Sequence, residues 1–469
     1  MSDKTIKNTQ GKLVEPEDHF EQLSLDATVL GTAPPTYPVR SDEVVSSENM
    51  HPGTGRSFDI ALFGLHPNRM RSQAGQNWSN SFAAFTSLPW FNLNKKDLYV
   101  PMRSQPTQPI RQHSVQFGGN AYKLTIAPAL INRSHWRDLG PREEMVLDGL
   151  IKMATSSRGL INNGRAGTAF TIRSLLSIMQ CRLNHVQVVE ALDVLSGAQS
   201  TLTYTSAKGT TVTERGSLLP RLKLVRREEW MMIRKNNEEI RSDDLCYAEF
   251  HPLISDAIQQ ASYRIYDLDT YYRISSYVGR RLYKFLCQIF RAPSVYVADD
   301  AAAEELRGFT LHARHFLISC AVITLEEDAS EDHPVRISHK LATIKKALNA
   351  LTSAGVLSSY QMIKKKKEFV SQSQAPVITD YIFHIVASRE FAEQQRRSNF
   401  AALDTAERHV LSKALLPGAS EETQPVVARK LLTASTKQIK GLVDDLELRP
   451  QVEQITQAGR RSKLIKSDP

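Results

Sequence analysis

The sequence predicts an α+β chain in which one order of elements occurs twice, two amphipathic helices and then a β-hairpin. Three observations carry this expectation. Apolar residues recur at helical spacing in paired segments of each half, strand-like runs follow each pair, and Gly or Pro marks the joins. With 469 residues and 41% hydrophobic composition, the chain can bury one or more cores, and two or three domains are expected.

Residues 1–120 are rich in Ser, Asn, Pro and Gly with weak periodicity. They read as a largely disordered or loosely packed arm, with short ordered pieces near Phe58–Leu65 and Phe82–Leu98. The pattern changes at Ala121. YKLTIAPALI reads as a strand, and PREEMVLDGLIKMA as a helix with Val146, Leu147, Leu150, Ile151 and Ala154 on one face and Pro141 in its first turn.

TAFTIRSLLSIMQ reads as a Thr-capped helix with Ile172, Leu175, Leu176 and Met179 inward. After the turn CRLN, HVQVVEALDVLSGA is a second helix with Val188, Val189, Leu192 and Leu195 inward. STLTYTSA and TTVTE are strands joined at Lys208-Gly209, and LPRLKLVRR is expected to return beside them.

The second half runs likewise. SSYVGRRLYKFLCQIF is a Ser-capped helix with Val278, Leu282, Phe285, Leu286 and Ile289 inward, and LHARHFLISCAV is the next helix. In VRISHKLATIKKALNALTSAG, Ile337, Leu341, Ile344, Leu348 and Leu351 form one helical stripe ended by Gly355. VLSSYQMI is a strand, KKKKE a loop at the hairpin tip, and PVITDYIFHIVAS the returning strand. Helix, turn, helix and hairpin is the order of a winged helix. The predicted architecture is therefore two tandem winged-helix domains, 121–260 and 261–389, preceded by the arm 1–120 and followed by a helical, basic tail 390–469.

The net charge of +9 is uneven: residues 1–60 carry −5 and the remainder +14, so an anionic partner is expected for the body of the chain. Cys181, Cys246, Cys287 and Cys320 form no CxxC pair, which argues against a disulfide framework or zinc site and for reduced thiols in a cytoplasm. No apolar run has the length of a membrane span, and the N-terminus lacks a signal peptide's apolar core.

The stripe on 337–351 leaves Ser338, His339, Lys340, Thr343, Lys345 and Lys346 outward, with 339, 343 and 346 in line at i, i+4 and i+7. A major groove about 12 Å wide admits such a helix. Arg336, Ser338, His339, Lys340, Thr343 and Lys346 are the expected base readers, and Lys345 with Lys364, Lys365, Lys366 and Lys367 the expected phosphate contacts. A basic helix face alone is ordinarily only solvated, and lysine runs also occur in solubilising segments. Their occurrence beside the twice-repeated element order is what favours DNA. In the first copy Asn184, His185 and Gln187 open the second helix, but Glu190 and Asp193 on its outer face make it a poorer groove reader.

The runs SLLPRLKLVRREEW, CYAEFHPLISDAIQQASYRIYDL and ISSYVGRRLYKFLCQIF, with Phe250–Ile254 and Arg280-Arg281-Leu282-Tyr283, resemble those of plasmid replication initiators of the TrfA/Rep type, over roughly Ala121–Ser388. The resemblance implies binding to direct repeats (iterons) of double-stranded origin DNA, with the second winged helix making the main base contacts. It also implies opening of an adjacent A+T-rich segment, recruitment of host replication proteins such as the replicative helicase, and a monomer–dimer equilibrium. In the arm, Gln22-Leu23-Ser24-Leu25 is similar to the peptide by which such initiators dock on the bacterial sliding clamp. Asp26 departs from that motif where an apolar residue is usual.

Catalytic patterns are not expected. NNGRAGT lacks the Lys-Ser/Thr of a phosphate loop and reads as a loop between helices, and His312-Ala-Arg-His315 lacks the spacing a nickase would pair with Tyr271 or Tyr272. No metal or cofactor is expected. The rival expectations are a winged-helix transcriptional repressor on inverted repeats, a non-enzymatic interaction scaffold, and a metal-dependent nuclease.

Overall fold

Local capping chemistry sets the helix starts in a computed structural model of the chain. It describes residues 55–57, 78–82, 85, 86, 88–93, 98–117, 120–154, 159–162, 165–180, 182–205, 209–225, 245–259, 263–289, 308–320, 322, 337–367, 377–395, 407, 408, 410, 411, 414, 415 and 436–452. The motif Gln22–Leu25, the piece Phe58–Leu65 and Arg336 lie outside these residues. Helix α1 (Pro141–Met153) begins with Pro at its first position, and the Glu143 carboxylate accepts from the Gly140 N–H. Helix α2 (Ile172–Ile178) is capped by Thr171, which accepts from the Ser174 N–H. Helix α3 (His185–Gly197) is capped reciprocally by Asn184 and Gln187.

Strands β1 (Gly55–Ser57), β2 (Trp78–Phe82), β3 (Tyr99–Pro101) and β4 (Arg111–Phe117) precede β5 (Asn120–Ala127). The YKLTIAPALI run is two strands, β5 and β6 (Ala129–Ile131), because Pro128 has no N–H to continue the ladder. β6 turns back into β7 (His135–Arg137), giving a small sheet β3-β7-β6. The glycine-bearing NNGRAGT segment is not a loop between helices. It joins β8 (Gly159–Asn162) to β9 (Arg165–Phe170), with Asn162 paired to Arg165. Thr168, Ala169 and Phe170, expected in the helix, are therefore strand, and the helix starts after Thr171.

The hairpin β10 (Gln199–Thr205) and β11 (Thr211–Gly216) forms as expected, with Gly209 at φ +79° in its turn. Its neighbours differ from the expectation. It lies in the sheet β11-β10-β5-β4, whereas β12 (Arg221–Lys223) pairs with β13 (Cys246–Glu249) in the sheet β1-β8-β9-β13-β12. Leu222 finds its partner in Ala248, far along the chain, so local pattern could not choose it.

Segment 78–117 has the composition of the arm but carries core side chains. Phe82, Phe85, Leu88, Trp90 and Phe91 are buried in the same cluster as α1 and α3. Arg111 holds this segment down. Its guanidinium donates to the Pro89 and Trp90 carbonyls and to the Asp138 carboxylate, at 2.6–3.3 Å. Trp90 stacks on Phe85 and meets His251 edge-on.

Next come α4 (Pro252–Gln259), β14 (Tyr263–Asp267) and α5 (Leu268–Arg273), which is capped by Asp267. α6 (Tyr277–Ile289) follows Ser276, whose hydroxyl accepts from the Gly279 N–H. β15 (Gly308–His312) takes the first two residues of the expected helix, which runs as α7 (Ala313–Ser319). α8 (Ile337–Ser353) ends at Gly355, whose φ of +77° lets the Val356 N–H reach the Leu351 carbonyl and the Gly355 N–H the Thr352 carbonyl. β16 (Leu357–Lys367) and β17 (Val377–Ala387) close a sheet in the order β15-β17-β16. Lys364, Lys365, Lys366 and Lys367, expected in the tip loop, are in β16. They continue the ladder opposite Tyr381, Asp380, Ile378 and Val377, with an irregularity between Lys365 and Lys366.

The core is one cluster from Phe82 to Phe391, so both halves share it. A smaller cluster of Val410, Leu411, Ile439, Val443, Leu448 and Val452 is built around α9 (Thr436–Asp445). Among the described residues no helix is long and apolar enough to cross a membrane.

Candidate nucleic-acid interface

α8 buries Ile337, Ile344, Ala347, Leu348 and Leu351 against α6, α7 and β16. Burial of one such side chain contributes roughly 1.5–3 kcal/mol, which fixes the rotation of the helix. That rotation exposes Ser338, His339, Lys345 and Lys346 and leaves Lys340 and Thr343 half-buried. The described ones among the expected readers, Ser338, His339, Lys340, Thr343 and Lys346, therefore lie off the buried stripe, with Asn349 and Ser353 extending the exposed row. Asn349 is positioned from the sheet, since the Tyr360 hydroxyl donates to its Oδ1 at 2.7 Å.

Lys364 is exposed on the sheet face that carries Tyr381. Among the described residues Lys340, Lys345, Lys346 and Lys364 make no ion pair, so their charge is open to an external anion. The side chains of Lys365, Lys366 and Lys367 lie outside the described residues.

Helix α3 of the first half offers a different surface. Asn184 and Gln187 spend their side chains on the cap, Glu190 accepts from Arg142 at 2.6 Å, and Val186 is 72% exposed at the helix start. Burial, and then Glu190, push the Asp193 carboxyl above its ordinary range.

Sequence reading missed a second group. Arg273 and Ser275, between α5 and α6, line a cleft of about 400 Å³ with Lys346, Asn349, Ala350, Ser353 and Ala354 of α8 and the turn after it. The signal was absent because the two sides are some seventy residues apart in sequence. The Arg280-Arg281 pair is not at a surface. Arg280 donates to the Ile274 carbonyl at 2.8 Å and lies over the Tyr271 and Tyr277 rings, while Arg281 donates to the Leu88 carbonyl. Tyr271 and Tyr272 are buried, and burial, followed by the Asp148 charge, raises both phenols above their ordinary range. His312 is in β15 with Nδ1 3.4 Å from Asp380 Oδ2.

Neither a protein-family model nor a curated protein sequence matches the chain. Among solved structures it is similar to domains 2 and 3 of RctB. In one such structure the identity is 12%, covering 60% of this chain and 93% of that one, with a TM-score of 0.31. In another it is 10%, covering 67% and 99%, again with a TM-score of 0.31. The chain is also similar to the Pi initiator protein, solved in complex with iteron DNA, at 12% identity over 53% of this chain and 94% of that one, with a TM-score of 0.29.

Proposed function

We propose that the chain is a DNA-binding replication initiator, built on two winged helices and acting without catalysis of its own. The observation that carries this is α8, a helix with one face in the core and an opposite face of Ser, His, Thr and Lys whose cations have no described acidic partner. Among the described residues the second half runs α6, β15, α7, α8, β16, β17 with sheet order β15-β17-β16, which supports reading it as a winged helix. The first half keeps two helices and a hairpin, α2, α3 and β10-β11, but backs the hairpin with β5 and β4.

In this reading α8 lies in the major groove. Arg336, Ser338, His339, Lys340, Thr343 and Lys346 meet base edges, and Lys345 and the β16 lysines meet phosphates. The duplex sites are direct repeats at an origin. The arm docks on the sliding clamp through Gln22–Leu25, host helicase is recruited, and a monomer–dimer equilibrium sets the active form.

An alanine series tests it. Removal of one base contact costs about 1–3 kcal/mol and relaxes specificity at one position, whereas loss of Lys364 weakens every sequence alike and lowers the salt slope by about one. A series that leaves affinity and slope unchanged overturns the assignment.

A further inference from the structure

The cleft between the α5–α6 junction and α8 has the composition of an anion seat. Arg273 and Lys346 face it from opposite sides, Ser275, Asn349 and Ser353 add polar groups, and Ala350 and Ala354 leave room between them. Among the described residues no carboxylate lines it. Arg273 donates one N–H to Thr270 Oγ1 at 2.8 Å, and neither it nor Lys346 makes an ion pair among the described residues. Asn349 has its oxygen held by the Tyr360 hydroxyl, so its NH₂ remains the group to offer. Two cations, an amide donor and hydroxyls, all exposed and unopposed, fit a tetrahedral oxyanion that is bound without losing its second contact to solvent.

The place of the cleft narrows the ligand. It opens on the same side chain, Lys346, that continues the outward row of α8. On the other side it adjoins the first half of the molecule. Arg182, in the α2–α3 turn, donates to the Tyr272 carbonyl at 2.8 Å, and Gln180 donates to Asp269 at 3.0 Å. Arg182 thereby stands next in space to the residue before Arg273, at the seam between the halves, where the Asp269 carboxylate also lies but is held by Gln180. A polyanion lying along α8 meets Lys346, Arg273 and Arg182 in sequence, where a free phosphate would use the seat alone.

We propose that this cleft seats a backbone phosphodiester of the bound duplex between Arg273 and Lys346, so that DNA read by α8 runs across the seam toward Arg182. The inference rests on the DNA-binding reading above; it moves Lys346 from base edge to phosphate and adds Arg273, from outside α8 and its hairpin, as a sequence-independent contact.

The test is a salt titration of the full chain on a mixed-sequence duplex of about 40 base pairs, roughly four helical turns. Wild type, Arg273→Gln, Arg273→Lys and Lys364→Gln are compared, with inorganic phosphate and a mononucleotide as competitors. The expected result is that R273Q weakens every duplex by the same factor and lowers the log–log salt slope by about 0.9, the value for one lost phosphate contact. R273K recovers most of the slope, and neither competitor displaces the duplex at concentrations where ionic strength alone does not. If wild type binds duplex and K364Q lowers the slope while R273Q does not, the seat is overturned and the interface on α8 stands. If R273Q abolishes mononucleotide or phosphate binding yet leaves the duplex slope intact, the cleft is a small-anion site and the proposal fails. A full chain that retains no duplex at any salt overturns the seat together with the reading beneath it.

Discussion

Lys284 of α6 places its ammonium 2.6 Å from the Glu144 carboxylate of α1, and 2.9 Å from Asp148 one turn further along the same helix. All three side chains are buried, and Arg281 adds a second cation 3.4 Å from Glu144. Burial works against every one of these charges. Lys284 and Arg281 outweigh it at Glu144, whose carboxyl stays below its ordinary value, and the two acids hold the Lys284 ammonium above its own. Asp148, with burial dominant, is raised. Because α1 belongs to the first half and α6 to the second, this cluster joins the two halves through charge as well as through the common core.

Removing Lys284 alone leaves two buried acids without their shared cation. Lys284→Met is expected to cost about 3–5 kcal/mol in urea unfolding, as for other broken buried pairs, while neutralising Glu144 and Asp148 together with Lys284 costs less. A single substitution costing under about 1 kcal/mol would show that the cluster is hydrated rather than buried.

Two buried histidines predict an acid weakness. Burial, helped by the Arg111 guanidinium 2.8 Å away, lowers His113 to about 3, and burial lowers His251 to about 4. Both rings are neutral in the fold but take up protons near 6.5 when unfolded, so between those values the unfolded chain binds more protons. Their contribution is complete above pH 6.5 and is lost as pH falls toward 4 and then 3, at about 1.4 kcal/mol per pH unit for each ring. A ring-proton NMR titration should find both still neutral at pH 5.5. Ordinary titration of either near 6.5 would contradict its placement.

Gly355→Ala tests the end of α8. At φ +77° a Cβ is strained even where space is open, and the expected loss is about 1 kcal/mol, measured as a lower urea midpoint with an unchanged slope. No loss would mean that the turn is not left-handed.

How much of this was legible in the sequence depends on the range of the interaction. The α8 stripe, the Ser276 cap and the Gly355 stop are set within a few residues and are readable, whereas the Thr-capped start of α2 is placed too early because Thr168–Phe170 pair as strand. The partners of β5 and β9 were not, because Leu124 meets Leu202 and Phe170 meets Cys246 across long intervals that no local pattern encodes. Four lysines look like a loop because their charge must stay wet. A strand satisfies that as well at Lys364, which is exposed opposite Tyr381. Phe85 and Trp90 fall in Phe82–Leu98, expected as a short ordered piece of the arm, but aromatic residues in a Ser- and Pro-rich stretch show no period, and only Arg111 and Asp138 reveal what ties them to the core. Arg280 and Arg281 enter the sequence reading only through the resemblance, and the burial of Arg281 depends on Leu88 and Glu144, which are far away in the chain.

The most direct test of the DNA-binding reading is affinity selection. Full-length protein, and the same chain carrying His339→Ala and Thr343→Ala on α8, are each mixed with sheared DNA of the host at near-physiological salt, and the retained fragments are sequenced. The account predicts that wild type enriches direct repeats spaced about two helical turns, roughly 21 base pairs, beside an A+T-rich segment. It also predicts that the α8 variant loses that enrichment while keeping weak, sequence-independent retention. Enrichment of inverted repeats at promoters would replace the initiator with a repressor. No enrichment by the wild-type chain would contradict the account at its centre.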